Sequence, residues 1–297
     1  MTLSGLYELR AGRRLAFLNP ARRTPVRQAK DEQSSLPVID IHCHPLSGVD
    51  DGAETFEVSV AMCKMAAADG ITHVVATPHC NYKFDFQPEP SRQKLAELQA
   101  AVGDSPKLFL GCDFHLSYEN IRRLIEQRGD FTINQTAYVL VELDDLFIPE
   151  QFDRVFYDIQ AAGLIPILSH PERNPVFRRK PETLYDWVTR GYLVQVTAQS
   201  YTGGFGREAQ HLTETWLERN LIHFFASDAH DVMHRPPLLS ACYQKVAETR
   251  GREVADLLLV KNGTAVIEGR PMARGPEPVS AAAVKRRRRG WLSFLRP

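Results

Sequence analysis

Apolar and polar positions follow one another along this chain as short apolar runs separated by longer amphipathic stretches. Seven runs rich in β-branched or aromatic residues stand at Val38–Ile41, His73–Ala76, Leu108–Gly111, Tyr138–Leu143, Ile165–Ser169, Tyr192–Val196 and His223–Ala226. Each has the length of a buried strand rather than a helix. Between them, "SRQKLAELQAAV" sets Leu95, Leu98 and Val102 on one helical face. In "PEQFDRVFYDIQAAG", Phe152, Val155, Phe156 and Ile159 fall in phase, and Gly163 supplies a C-terminal stop. Strand then helix, repeated about seven times, predicts a parallel sheet, open or closed into a barrel.

The residues that close these runs are unusual. The first ends in His42 and His44 and is followed by the acidic turn Asp50-Asp51-Gly52; the second ends in His79 and the third in Asp113. The fourth ends in Glu142, the fifth in His170 and the seventh in Asp228 and His230, while the sixth offers no such residue. Parallel sheets and barrels gather their chemistry at the C-terminal edge of the strands. Any one of these residues alone reads as a hydrogen-bonded or solvated side chain; six strand ends together do not. Carboxylates crowded into one cleft repel one another and are pushed towards the neutral form. Divalent cations remove that penalty, so the pattern predicts a multinuclear metal site. Imidazoles and carboxylates without thiolate suit Mn, Fe or Zn. Cys43 lies between two of the histidines, and strand alternation turns it to the other face, into packing.

Composition adjusts this picture at the ends of the chain. Among 297 residues no apolar run approaches a membrane span, and arginines interrupt the N-terminal stretch where a secretory signal would need an apolar core. Five cysteines without a regular framework suggest reduced thiols and a cytoplasmic protein. Residues 1–36 hold seven Lys/Arg against three Asp/Glu, and residues 285–297 hold six Lys/Arg and no acid, which leaves the body with a net charge of −10. The expected organisation is a basic extension over 1–36, a catalytic body over 37–270 and a flexible tail over 271–297.

The pieces "DIHCHPLSGVDDG", "ITHVVATPHCN", "GCDFHL", "VLVEL", "SHPERN" and "FASDAHDVMHRPP", in that order, resemble the PHP (polymerase and histidinol phosphatase) superfamily. More narrowly, they resemble the bacterial manganese-dependent protein-tyrosine phosphatases of capsule and exopolysaccharide operons. The resemblance spans about residues 37–270 and implies a distorted (β/α)7, TIM-like barrel. It also implies three divalent metals, with Mn2+ first and Fe or Zn as alternatives. One metal would be held by His42, His44, Asp113 and Asp228. A second would share Asp113 and add Glu142 and His170, and a third would use Asp51, His79 and His230. Asp113 stands where the family is expected to carry Glu, and Asp50 is the adjacent alternative to Asp51. Arg173 and Arg235, three and five residues beyond their histidines, are the expected phosphate clamp, since guanidinium forks match phosphate oxygens.

The reaction expected from the resemblance is hydrolysis of phosphotyrosine by a metal-activated hydroxide. The cysteine route is excluded, because the residues six positions after the five cysteines are Val49, Asp69, Phe86, Tyr118 and Glu248, and none is arginine. The alternatives are a small-molecule phosphatase such as one for histidinol phosphate, an amidohydrolase-like enzyme, and a catalytically idle, membrane-associated binding protein. A bacterial tyrosine kinase is the expected protein substrate. The C-terminal "KRRRRGWLSFLRP" suggests contact with an anionic membrane, and so a peripheral location at its inner face. Nucleic acid is not expected as a partner of so acidic a body.

Overall fold

The computed structural model describes residues 37–144, 152–273 and 275–286. All seven predicted runs are strands, but two of them are broken, so nine strands form: β1 (Val38–Cys43), β2 (Ile71–Ala76), β3 (His79–Cys80), β4 (Lys107–Leu110), β5 (Asp113–His115), β6 (Tyr138–Glu142), β7 (Ile165–Ser169), β8 (Leu193–Thr197) and β9 (Phe224–Ala226). The breaks fall at Thr77-Pro78 and Gly111-Cys112. Pro78 has no N–H to give to a ladder. There the Gly111 N–H donates to the Ala76 carbonyl at 2.8 Å and the Asp113 N–H to the Pro78 carbonyl at 3.0 Å. The chain thereby steps from one sheet into the next.

One sheet has the order β1-β2-β4 and the other β3-β5-β6-β7-β8-β9, with every pairing parallel. A seam returns from the end of β9 to β1 through a single bridge between Cys43 and Ala229. Across it the Asp228 N–H donates to the His42 carbonyl at 2.7 Å and the His44 N–H to the Ala229 carbonyl at 2.8 Å. The buried Asp40 carboxylate accepts the Ser227 N–H at 2.9 Å and the Ser227 hydroxyl across the same seam. The ring is a distorted, seven-position parallel α/β barrel carried by two sheets and a seam instead of one continuous ladder.

Two apolar clusters support it. An inner cluster contains Ile39, Ile41, Val75, Leu140, Ile167, Phe224 and Ala226. Strand residues two positions further along share a face, so Glu142 follows Leu140, and Asp228 follows Ala226, at the C-terminal edge. On β1, Asp40 pairs with Val74 and Cys43 with Ala76, three steps against two, so β1 carries one extra residue as a bulge. The bulge lets Ile39 and Ile41 join the inner cluster while His42 reaches the cleft. The outer cluster holds Cys43, Phe156, Ile159 and Leu98 between sheet and helices, with Leu95, Val102 and Val155 packed against it. The predicted helices are Pro88–Val102 and Phe152–Ala161; beyond the latter, Gly163 takes φ +80°, as a helix stop requires.

Beyond residue 270 the chain still makes contacts with the loop after the helix Gly206–Glu218. The Val279 N–H donates to the Arg219 carbonyl at 2.8 Å and the Asn220 amide to the Glu277 carbonyl at 2.9 Å. The basic N-terminal extension and residues 287–297 lie outside the described residues.

Candidate metal centre

The C-terminal ends of the strands bring all nine expected ligands into one open cleft of about 220 Å³, whose lining includes Asp51, His79, Glu142, His170, Asp228 and His230. From β1, His42 Nε2 lies 3.1 Å from His44 Nε2, 3.6 Å from Asp113 Oδ2 and 3.4 Å from Asp228 Oδ1. His44 Nε2 is also 3.4 Å from Asp228 Oδ1. His79 faces two ways, with Nδ1 3.1 Å from Asp113 Oδ2 and Nε2 3.4 Å from Asp51 Oδ1. His170 Nε2 is 3.7 Å from Glu142 Oε1, and His230 Nε2 is 3.6 Å from Asp51 Oδ1.

The cleft contains four groups of metal-ligand geometry: His42-His44-Asp228, His42-Asp113-His170, His79-Asp113-Glu142 and His44-His79-His230. Asp113 belongs to two of them. His79 Nδ1 and Asp113 Oδ2 are buried with no hydrogen-bond partner, although they lie close together. An imidazole nitrogen and a carboxylate oxygen left so in a protein interior are costly. A divalent cation satisfies both, so the donor set fits the metal.

The acidic turn divides its labour. Asp50 is turned back into the protein, where Oδ2 lies 2.8 Å from His44 Nδ1 and accepts the His79 N–H at 3.1 Å. Asp51 points outwards, its side chain half exposed between His79 and His230. Gly52 permits the turn: a Cβ there would lie 2.2 Å from the His44 carbonyl oxygen.

Several orienting residues escape a search of the sequence for His, Asp and Glu at strand ends. The sixth run, which offers no ligand, supplies Gln195, whose Oε1 lies 3.0 Å from His42 Nδ1. Ser169 donates to Asp113 Oδ1 at 3.2 Å. Second partners of this kind fix ring orientation and tautomer at metal sites. Only strand alternation flags Gln195 in the sequence, since it lies two residues before the end of β8.

Burial pushes the His42 imidazole down to about 4, against the pull of Asp228 and Asp113. Burial and the neighbouring His44 take His230 to about 2. Both are therefore neutral and have a nitrogen lone pair to give. His44 is opposite: burial opposes its charge, but Asp50 and Asp228 raise it to about 10. Asp113 and Asp228 stay well below the usual carboxylate range despite burial. His42, His170 and His79 hold Asp113 there; Arg173, His42 and Arg235 hold Asp228. Bound cations compete with protons for the same imidazoles.

Arg173, after β7, and Arg235, after β9, converge from different loops. Arg173 donates an Nη2 hydrogen to Asp228 Oδ2, and Arg235 Nη2 forms an ion pair with the same oxygen at 2.6 Å. Asp228 thus turns Oδ1 to the imidazoles and Oδ2 to the guanidiniums. The Nε atoms of both arginines are buried without a hydrogen-bond partner, and both side chains line the cleft, with guanidinium N–H donors left over for an anion. Asp228 and His170 have positive φ, +51° and +33°. Side chains with a Cβ seldom adopt such angles, and strain of this kind gathers at functional sites.

This cleft on a parallel α/β barrel defines the class of protein: a metal-dependent hydrolase scaffold with two arginines lining the cleft. Residues 38–268 match the family model described as capsular polysaccharide synthesis, CpsB/CapC, and the chain belongs to that family. It is 32% identical over 246 residues to the tyrosine-protein phosphatase YwqE of Bacillus subtilis (strain 168), covering 82% of this chain and 96% of the relative. Against the tyrosine-protein phosphatase CpsB of Streptococcus pneumoniae the identity is 26%, over 77% of this chain and 98% of the other. A crystal structure from work on YwqE and CpsB, described as unique metal-dependent tyrosine phosphatases, superposes with a TM-score of 0.75 at 31% identity, covering 82% of this chain and 99% of that one.

Proposed function

We propose that this protein is a metal-dependent protein-tyrosine phosphatase. The observation that carries the reading is Asp228, with one oxygen among the imidazoles and the other beneath two arginines that each keep a free, buried N–H. His42, His44, Asp113 and Asp228 would hold one cation, Asp113 with Glu142 and His170 a second, and Asp51 with His79 and His230 a third. Bound there, divalent cations would supply Lewis acidity and acidify water at neutral pH. Arg173 and Arg235 bind the phosphoryl oxygens and spread their charge. Gln195, Asp50 and Ser169 keep the ligand atoms aimed while this happens. The cleft is open to solvent, which suits a protein-borne side chain. The two phosphatases that this chain resembles support a tyrosyl phosphate over a small-molecule ester.

Manganese is the metal we favour, and a tyrosine kinase that controls capsule or exopolysaccharide synthesis the substrate. Among the described residues no helix is long and apolar enough to cross a membrane. Peripheral attachment through residues 285–297 is the location we favour; equal cosedimentation of the full chain and residues 1–284 with anionic vesicles would refute it. The test of function is phosphate release from a phosphotyrosyl peptide by metal-stripped protein after adding Mn, Zn or Mg, with His42→Ala and Arg235→Ala in parallel. Manganese-dependent release, lost by at least about 100-fold in both variants, is expected. Release from histidinol phosphate but not from the peptide would favour the small-molecule alternative.

A further inference from the structure

Two guanidiniums directed at one carboxylate oxygen repel each other, and among the described residues Asp228 is the carboxylate in ion-pair contact with both. A third group meets them. The ring of Phe205 lies 4.8 Å from Arg173 Cζ and 5.8 Å from Arg235 Cζ, both within the range in which an aromatic face attracts a cation. Phe205 is half-buried and belongs to neither apolar cluster of the described residues. Its ring therefore does not contribute to ordinary core packing.

The backbone around it is built to hold that position. Phe205 stands in Gly203-Gly204-Phe205-Gly206, between the helices Ala198–Thr202 and Gly206–Glu218. Gly203 takes φ +100°, closed to most side chains, and the Gly204 N–H donates to the Gln199 carbonyl at 2.7 Å. The Gln199 amide in turn donates to the carbonyl of His234 at 3.2 Å. The loop that carries the ring is thus tied to the residue just before Arg235.

We infer that Phe205 is a positioning residue that holds Arg173 and Arg235 together as a single anion clamp. The inference rests on the phosphatase reading only in taking the anion to be a phosphoryl group. The ring supplies no metal ligand and no proton. Its face offsets the mutual repulsion of the two cations and holds both guanidiniums at the cleft before an anion arrives.

The test is calorimetric titration of inorganic phosphate into the full, manganese-loaded chain, compared with Phe205→Leu and Phe205→Trp. The leucine variant is expected to bind phosphate about tenfold more weakly, with manganese content and melting temperature unchanged. The tryptophan variant, which keeps an aromatic face, is expected to stay within about twofold of the unaltered protein. Adding Phe205→Leu to Arg235→Ala should then cost far less than Phe205→Leu does alone, because the ring acts through the arginines. Unchanged phosphate affinity in Phe205→Leu, or a tryptophan variant as weak as the leucine one, would overturn the inference. If the unaltered chain binds phosphate and shows the ring dependence but releases none from a phosphotyrosyl peptide, the clamp stands and the phosphatase reading fails. If it binds no phosphate, both fail.

Discussion

At the scale of single residues, the side chains that meet in the cleft were legible in the sequence and their supports were not. His42, His44, His79, Asp113, Glu142, His170, Asp228 and His230 stand at or just beyond strand ends, where type and position can be read together. Gln195 carries no charge and lies inside an apolar run; alternation along β8 places it, but its contact with His42 Nδ1, at 3.0 Å, is what gives it a role. Choosing between Asp50 and Asp51 likewise needed the fold of the turn, because both are acidic and adjacent. Replacing Gln195 by Leu removes the partner that aims His42 and leaves a buried imidazole nitrogen unpaired. Manganese affinity is expected to fall about tenfold, measured by competition with a chelating indicator. An affinity within twofold of the unaltered protein would show that the bulge of β1 orients His42 without help.

At the scale of elements, short runs predicted strands well because the two core-facing sides of each strand are apolar. What they concealed was the pair of breaks at Pro78 and Gly111. "VVATPHC" and "LFLGCDF" read as continuous runs, and the step between sheets becomes visible only when the hydrogen bonds of Gly111 and Asp113 are followed. The turn after β1 shows how far such local geometry reaches. Gly52 packs against His44, and a methyl group there would meet the His44 carbonyl oxygen and Cβ at 2.2 and 2.6 Å. Gly52→Ala must therefore move the turn, and with it Asp50 and Asp51. We expect a loss of about 1–3 kcal/mol of stability together with weaker metal binding, read from chemical unfolding and metal titration of the same sample. Stability and binding both unchanged would mean that the turn yields at no cost.

For the whole molecule, one prediction concerns pH. His223 precedes β9; its Nδ1 accepts the Val194 N–H at 3.1 Å, and burial pushes its pKa down from 6.5 to about 4. Between those values the unfolded chain binds the proton more readily than the folded one, so stability is full above about pH 7 and falls as the pH drops. From pH 7 to 5 this amounts to about 1–2 kcal/mol, allowing for the partial exposure of the ring. His223→Asn keeps an acceptor for the Val194 N–H and removes the proton. Urea unfolding at both pH values should therefore show a smaller loss in the variant, by that amount. Equal losses would rule out His223 as a source of acid sensitivity.

The seam between β1 and β9 also sets the timing of assembly. Asp40 and Ser227, which bond across it, are 187 residues apart in the chain, and contacts so distant in sequence form late and slowly. As the chain leaves a ribosome, His42 and His44 emerge early, while Asp228, Ala229 and His230 follow only when most of the protein has been made. Until then Ile39 and Ile41 lack the β9 side of their core, and His42 and His44 lack the carboxylate that lies between them. The residues proposed for the first and third metals are therefore complete only with the last strand, whereas those of the His42-Asp113-His170 and His79-Asp113-Glu142 groups are all made before it.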